Sequence, residues 1–414
     1  MFARMEVDLF QVLDPLFEVG RAFGGTDIII ADGMTQTGVW LAQKFDLPVV
    51  INDPHSFAAK LPPSLIYPVF PSGFDARMPF LKRLGNSIFF VVGKGLGAYK
   101  DSQVQKLVKE RGIMEPPGYK FLSASVGDRY VAEPVLVNTV PGLDFPREAG
   151  PNQFFVGPLV SSTIQPVSQN IATWLKARES NQDPTVLVSF GSSAYLNDAQ
   201  GRTFLRGLID AGVHAIWPCR PGNRGFLEGV EVPERIRIEE WVPQQAILNH
   251  SAVSGYVGHC GTGGTHQTLA FGKPVVCIPF MADHFETAAR IRASGAGRSI
   301  DLQTLTSGDA ATVTEAIRSI TSKDSPCRIA AERVAALMRV YGGVTSAADV
   351  VEYIAAFGYD HLKIASWEMG WFARTSFDVL AFWAAALGLV ALLGSFALRR
   401  FVTAIAPARK QKAA

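Results

Sequence analysis

Between Gly255 and His284 the chain reads GYVGHCGTGGTHQTLAFGKPVVCIPFMADH, a stretch rich in residues that can hold a phosphate or a hydroxyl. His259 closes an apolar run, and Gly261, Thr262, Gly263 and Gly264 lead into a helix-forming stretch, THQTLAF, which Gly272 and Pro274 stop. A strand, a glycine-rich turn and a helix N-terminus direct backbone N–H groups and the positive end of a helix dipole at one point, which makes an anion site. His259 stands at that point and can donate a hydrogen bond to the same anion. No Gly-Lys-Ser/Thr ends the turn, so it is not a Walker loop, and it does not fit the GxGxxG of a dinucleotide domain's first strand. A lone histidine beside a turn is also consistent with a purely structural role, so its company matters. Trp241, in EWVPQQAIL, ends a strand where an indole can stack on a planar base; read alone it is equally a core tryptophan. Asp283 and His284 follow the apolar run VVCIPF, where a carboxylate and an imidazole can accept from and donate to a polyhydroxylated ligand. Base stacker, anion cradle and hydroxyl-binding pair in successive strand-end loops describe a nucleotide sugar.

These loops need a parallel sheet to carry them, because ligands of open α/β sheets sit outside the carboxyl ends of the strands. The expected strands are TDIIIAD, LPVVIN, VLVNTV and NQFFVGPL in the first half, then TVLVSFGSS, GVHAIWPC, IRIEEWVP, SGYVGH and KPVVCIPF. Helical stretches separate most of them, and residues 310–321 and 327–340 read as amphipathic helices. VSFGSS delivers Gly191, Ser192 and Ser193 into a second turn of small residues, a weak signal by itself. The polar, proline-containing stretch from Pro158 to Asp183 reads as an interdomain connection.

Composition narrows the class. A chain of 414 residues accommodates two domains, and a net charge of +2 implies no nucleic-acid partner. The four cysteines, Cys219, Cys260, Cys277 and Cys327, are widely spaced and read as neither a zinc site nor a disulfide framework. From Val379 to Leu398 the chain carries no charge, and a helix of that length spans roughly 30 Å, a bilayer core. Arg399, Arg400, Arg409, Lys410 and Lys412 follow it, which places the tail in the cytosol and the body across the membrane.

The segment from Trp241 to Gly297, with its W-x-P-Q, H-x-G-T and A-D-x elements, resembles the signature segment of the UDP-glycosyltransferases. IIIADG, FFVGPL, VSFGSS and HLKIASWEMGWFARTSFDVLAF extend the likeness to the membrane-anchored members over nearly the whole chain. The resemblance implies an α/β GT-B fold: two Rossmann-like domains facing across a cleft, the first incomplete, plus a C-terminal transmembrane helix. The expected divisions are an acceptor-binding domain over 1–159, a UDP-sugar-binding domain over 160–357, a juxtamembrane segment over 358–378, the membrane helix over 379–398 and a basic tail over 399–414.

Carried over position by position, Trp241 would stack on uracil and Gln244 would hold the uridine. Gly191, Ser192 and His259, with Gly261 and the backbone of Thr262 to Gly264, would bind the diphosphate, and Asp283 and His284 would contact the sugar. The resemblance implies no metal and no cofactor beyond the UDP-sugar co-substrate. Three positions depart from the family: Gln267 stands where a glutamate grips the ribose, Gly263 replaces an asparagine of the cradle, and His284 replaces a glutamine, which brings UDP-galactose beside UDP-glucose. In the family a histidine after the first strand removes the acceptor's proton and an aspartate orients it. Asp32 matches the aspartate, and with thirty-one residues before it the expectation is that the histidine's strand is missing. His55 is a poor substitute because it follows the next strand.

The expected function is inverting transfer of a hexose from a UDP-sugar to a hydroxyl of a lipophilic small molecule or lipid. The alternative is a catalytically silent membrane subunit that binds UDP-sugar without the base. The anchor and the KQKAA tail resemble an endoplasmic-reticulum membrane protein with its body in the lumen.

Overall fold

The computed structural model describes residues 27–54 except 34–37, 40, 41, 43 and 44; residue 68; 72–89 except 76; residue 92; 133–364 except 148, 192 and 193; and 376–405. It divides into two compact units, Met1–Leu362 and Lys363–Ala414.

Among the described residues, the first unit contains two parallel sheets. One orders β1 (Ile29–Asp32), β2 (Val49–Asp53), β3 (Val135–Val137) and β4 (Gln153–Phe155) in sequence. The second has six strands in the order β10-β9-β8-β5-β6-β7: β5 is Thr185–Ser189, β6 His214–Pro218, β7 Ile236–Glu239, β8 Val253–Gly258, β9 Val275–Cys277 and β10 Gly297–Ser299. Strands β5 and β8 are buried almost throughout, which is why they read as continuous apolar runs rather than alternating ones. The nine strand runs expected from the sequence all form, and β10 adds a short tenth whose GRS carries no apolar signal.

Helices cover both faces of the second sheet. On one side, α2 (Asp198–Ala211), α6 (Leu302–Thr306) and α7 (Ala310–Thr321) bury Phe204, Leu205, Leu208, Leu305, Val313 and Ile317 against Val186, Val188 and Val257. On the other, Leu187, Tyr256 and Val275 meet α1 (Gln169–Asn181), α3 (Gln244–Asn249), α4 (Thr262–Ala270), α5 (His284–Ser294) and α8 (Pro326–Tyr341). The boundaries follow local chemistry. Asn197 and Gln200 form a capping box at the start of α2, Ser325 caps α8 ahead of Pro326 at its first turn, and Gly212 and Gly295 end α2 and α5 in left-handed conformations. Helix α9 (Val344–Phe357) returns to the first sheet, packing Ala347 and Ile354 on Val50, Leu136 and Val156.

In the second unit, α10 runs from Phe377 to Ile405, longer than the uncharged stretch, since Arg399 and Arg400 continue the helix. Its Phe377–Phe401 portion, with mean hydropathy 2.2, is long and apolar enough to cross a membrane. The α8–α9 stretch, Pro326–Phe357, meets the same criterion of length and composition at a mean hydropathy of 1.2, yet it packs on both sheets of the first unit and is broken at Gly342 and Gly343.

Candidate active site

The order β10-β9-β8-β5-β6-β7 reverses direction between β8 and β5, so their carboxyl-end loops diverge and leave a crevice at the switch point. Gly191 leaves β5 there with φ +70°, and His259 leaves β8. The two approach closely: a Cβ on Gly191 would sit 2.7 Å from Cε1 and 3.0 Å from Nε2 of His259, and a Cβ on Gly261 would overlap Nε2. The glycines therefore create the space that the imidazole nitrogen faces.

Helix α4 starts at the same point. Its N-cap is Gly261, no side chain caps it, and Thr262, Gly263 and Gly264 form its first turn. The Thr262 hydroxyl donates to Asp283 Oδ2 at 3.0 Å, tying the cradle to the loop after β9. A Cβ at Gly263 would meet open space, so the missing asparagine leaves room rather than a filled contact. Gly264 is tightly enclosed, with Tyr256 Oη at 3.2 Å and Gln244 Nε2 at 3.4 Å from the position of a Cβ.

A cavity of about 360 Å³ opens beside this point over the ends of β5, β6 and β7. Gly191, Trp217, Cys219, Arg220, Trp241 and Gln244 contribute to its lining. Trp241 is 68% exposed, so it is not a core tryptophan; Trp217 takes that role, stacked at 4.7 Å on Phe226. Gln244 Nε2 donates to Gln267 Oε1 at 3.1 Å, which joins the expected uridine and ribose contacts into one pair.

Asp283 and His284 begin α5. Ala282 before them adopts φ +48°, a left-handed conformation costly for alanine that turns the pair toward the cradle. The His284 and His259 rings meet edge to face at 4.7 Å. Burial pushes His259 down to about 4.

The structure thus brings together Gly191, Trp241, Gln244, His259, Gly261, Thr262, Gly263, Gly264, Gln267, Asp283 and His284. Asp32 ends β1 in the other sheet and is exposed. Ser192 and His55 lie outside the described residues. Among the described residues, no group of three or more histidine, cysteine or acidic side chains is placed to hold a metal ion.

One reading is corrected. Cys260 and Cys277 form a disulfide with Cα atoms 5.2 Å apart, whereas Cys219 and Cys327 are free. The parallel register sets Gly258 beside Cys277, and Cys260 turns back at φ +61° to meet it. Seventeen residues of separation hide that proximity in the sequence.

Two residues escaped sequence reasoning. Tyr256 is completely buried beneath the cradle, and its hydroxyl donates to the Ser189 carbonyl at 2.8 Å; Gly258 permits this, since a Cβ there would sit 2.5 Å from Oη. Glu286 is 5% exposed, accepts from the Gly73 N–H at 3.4 Å, and its Oε2 has no hydrogen-bond partner among the described residues. Burial raises its carboxyl to about 7, with the Asp283 charge adding to the effect and Arg290 opposing it. Its position three residues after Asp283, on the same helix face, was the available signal.

Comparison with known proteins bears on the family and the fold. A family model described as "UDP-glucoronosyl and UDP-glucosyl transferase" matches residues 24–411. UDP-glucuronosyltransferase 2B16 of Oryctolagus cuniculus is 24% identical over 393 residues, 89% of this chain and 69% of that protein. UDP-glucuronosyltransferase 2B15 of Homo sapiens is 24% identical over 389 residues, 88% of this chain and 68% of that protein. Among solved structures, the glycotransferase of kitacinnamycin superposes with TM-score 0.61 at 19% identity, covering 85% of this chain and 83% of that one. Os79 from O. sativa in complex with UDP superposes with TM-score 0.55 at 18% identity, covering 83% and 80%. These structures share the α/β GT-B fold.

Proposed function

The chain belongs to the UDP-glucoronosyl and UDP-glucosyl transferase family, and from that premise we propose that it transfers a hexose, with inversion, from a UDP-sugar to a hydroxyl of a lipophilic small molecule or lipid. The observation that carries the reading is the convergence of the β5, β7, β8 and β9 loops at the switch point of the second sheet. Trp241 offers a face for uracil, and Gln244 with Gln267 offers amide groups for the uridine. His259 and the uncapped start of α4 offer donors to the diphosphate, where leaving-group charge accumulates during transfer. Asp283 and His284, at the start of α5 beside the cradle, offer a carboxylate and an imidazole to the hexose.

Attack on the anomeric carbon needs a base to take the acceptor's proton. In this reading Asp32, exposed at the carboxyl end of β1, orients that base. Helix α10 supports an anchor in the membrane, and the cationic residues after it support a cytosolic tail with the body in the lumen of the endoplasmic reticulum. An anchored enzyme meets acceptors that partition into lipid, which supports the lipophilic class.

The test is turnover by the full chain in detergent micelles. UDP-glucose, UDP-galactose and UDP-glucuronic acid are each offered with a panel of sterols, sphingoid bases and phenols, reading UDP release and the anomeric configuration of the product. A β-linked product from an α-linked donor supports the reading. Nucleotide-sugar binding with no transfer on any acceptor supports the silent subunit instead.

A further inference from the structure

Two imidazoles meet at the cradle, and their hydrogen bonds set different protonation states. His284 is 7% exposed, and its Nδ1 accepts from the N–H groups of Phe280 at 3.4 Å and Met281 at 3.3 Å. A nitrogen that accepts carries no proton, so the His284 ring is neutral with its hydrogen on Nε2. Protonating Nδ1 would break both contacts.

His259 is the opposite case. Its Nδ1 faces the Ser189 carbonyl oxygen at 3.5 Å, an atom that only accepts and already accepts from Tyr256. Nδ1 therefore holds the hydrogen, and the neutral ring is left with a lone pair on Nε2. That nitrogen faces Gly191 and Gly261, beside the first turn of α4. A lone pair there repels a phosphate oxygen, whereas an N–H attracts it with the strength of a charge-assisted bond.

We propose that binding of the UDP-sugar carries one proton from solvent onto His259, so that an imidazolium holds the diphosphate while His284 stays neutral. The inference rests on the nucleotide-sugar reading of this cleft.

The groups facing His259 allow that outcome. From β5 comes the Ser189 carbonyl; from β8 comes Tyr256, whose phenol burial keeps neutral; from α4 comes Thr262, whose hydroxyl is engaged by Asp283; from α5 come Asp283 and neutral His284. Without ligand, burial outweighs the single Asp283 charge and the ring stays deprotonated at neutral pH. The charges of the diphosphate, brought to hydrogen-bond distance, reverse that balance. Between the pKa values of the free and bound states, affinity then falls about tenfold per pH unit.

Titration calorimetry of the full chain in micelles tests this with UDP-glucose, whose diphosphate diester does not titrate near neutrality. Buffers of different ionisation enthalpy at pH 7 report proton exchange, and the expected uptake is close to one proton per UDP-glucose. Affinity is expected to fall roughly tenfold from pH 6 to pH 7. His259→Gln keeps a donor and cannot take a proton, so its affinity is expected to be flat over that range with no uptake. Binding with no proton exchange overturns the inference alone, as does uptake that survives in His259→Gln. Failure of UDP-glucose to bind overturns the nucleotide-sugar reading, and the inference with it.

Discussion

Gly191→Ala is the substitution that most directly tests the cradle. Gly191 adopts φ +70°, which costs an alanine about 1–2 kcal/mol, so the variant should be less stable by that amount. The new methyl would lie 2.7 Å from Cε1 of His259, closer than carbon atoms tolerate, and the ring must swing away to relieve the contact. A displaced ring forfeits a hydrogen bond to a charged group, worth about 1.5–3 kcal/mol. The dissociation constant for UDP-glucose should therefore rise roughly 10- to 150-fold. Gly263→Ala is the internal control: its Cβ meets open space, so affinity should stay within about twofold and helix stability should rise by up to about 1 kcal/mol. Calorimetry gives the affinities and thermal denaturation the stabilities. A folded Gly191→Ala protein that binds UDP-glucose as well as the parent would refute the placement of the diphosphate between Gly191 and His259.

Other substitutions probe separate features. Trp241→Ala removes a base-stacking platform worth about 1–3 kcal/mol and should raise the UDP dissociation constant roughly 5- to 150-fold; because the indole is exposed, the melting temperature should hold, and a fall in both would mark Trp241 as a core residue. Glu286 has a folded-state pKa of about 7, above its ordinary value, so the native state holds more protons than the unfolded chain. Its contribution is present at low pH and is lost as pH rises toward 7, costing up to about 3 kcal/mol. Glu286→Gln should therefore raise the melting temperature at pH 8 and change it little at pH 4; equal shifts at both would contradict the buried carboxyl. Thiol titration of the denatured, unreduced protein should find only Cys219 and Cys327, and Cys277→Ser should lower stability by about 3 kcal/mol, as expected for closure of a short loop. Four titratable thiols before reduction would rule out the Cys260–Cys277 bond.

Much of this protein is decided within short windows of sequence. Apolar runs of β-branched residues alternating with helix formers specify parallel α/β units, and the run ending at His259, followed by Gly261 to Gly264, can hardly be anything but a strand, a tight turn and a helix start. The placement of Trp241, Gln244, His259, Asp283 and His284 was legible for the same reason: each lies in the loop or helix start that follows a strand its own neighbours define. The uncharged stretch from Val379 to Leu398 likewise forms a helix by local composition alone.

What only the tertiary structure decided concerns contacts between segments that the chain order separates. Sheet order places β5 next to β8 and so sets Gly191 against His259, sixty-eight residues apart. Register brings Cys277 beside Gly258 and closes a disulfide that spacing concealed. The two imidazoles differ in the proton they hold because one accepts from backbone N–H groups and the other faces a carbonyl, and no local pattern encodes which. Glu286 is displaced toward neutral pH by burial at a contact with Gly73, two hundred and thirteen residues away. Periodicity and turn chemistry act over a few residues and can be read in one dimension; burial, strand neighbours and hydrogen-bond direction are properties of the packed chain.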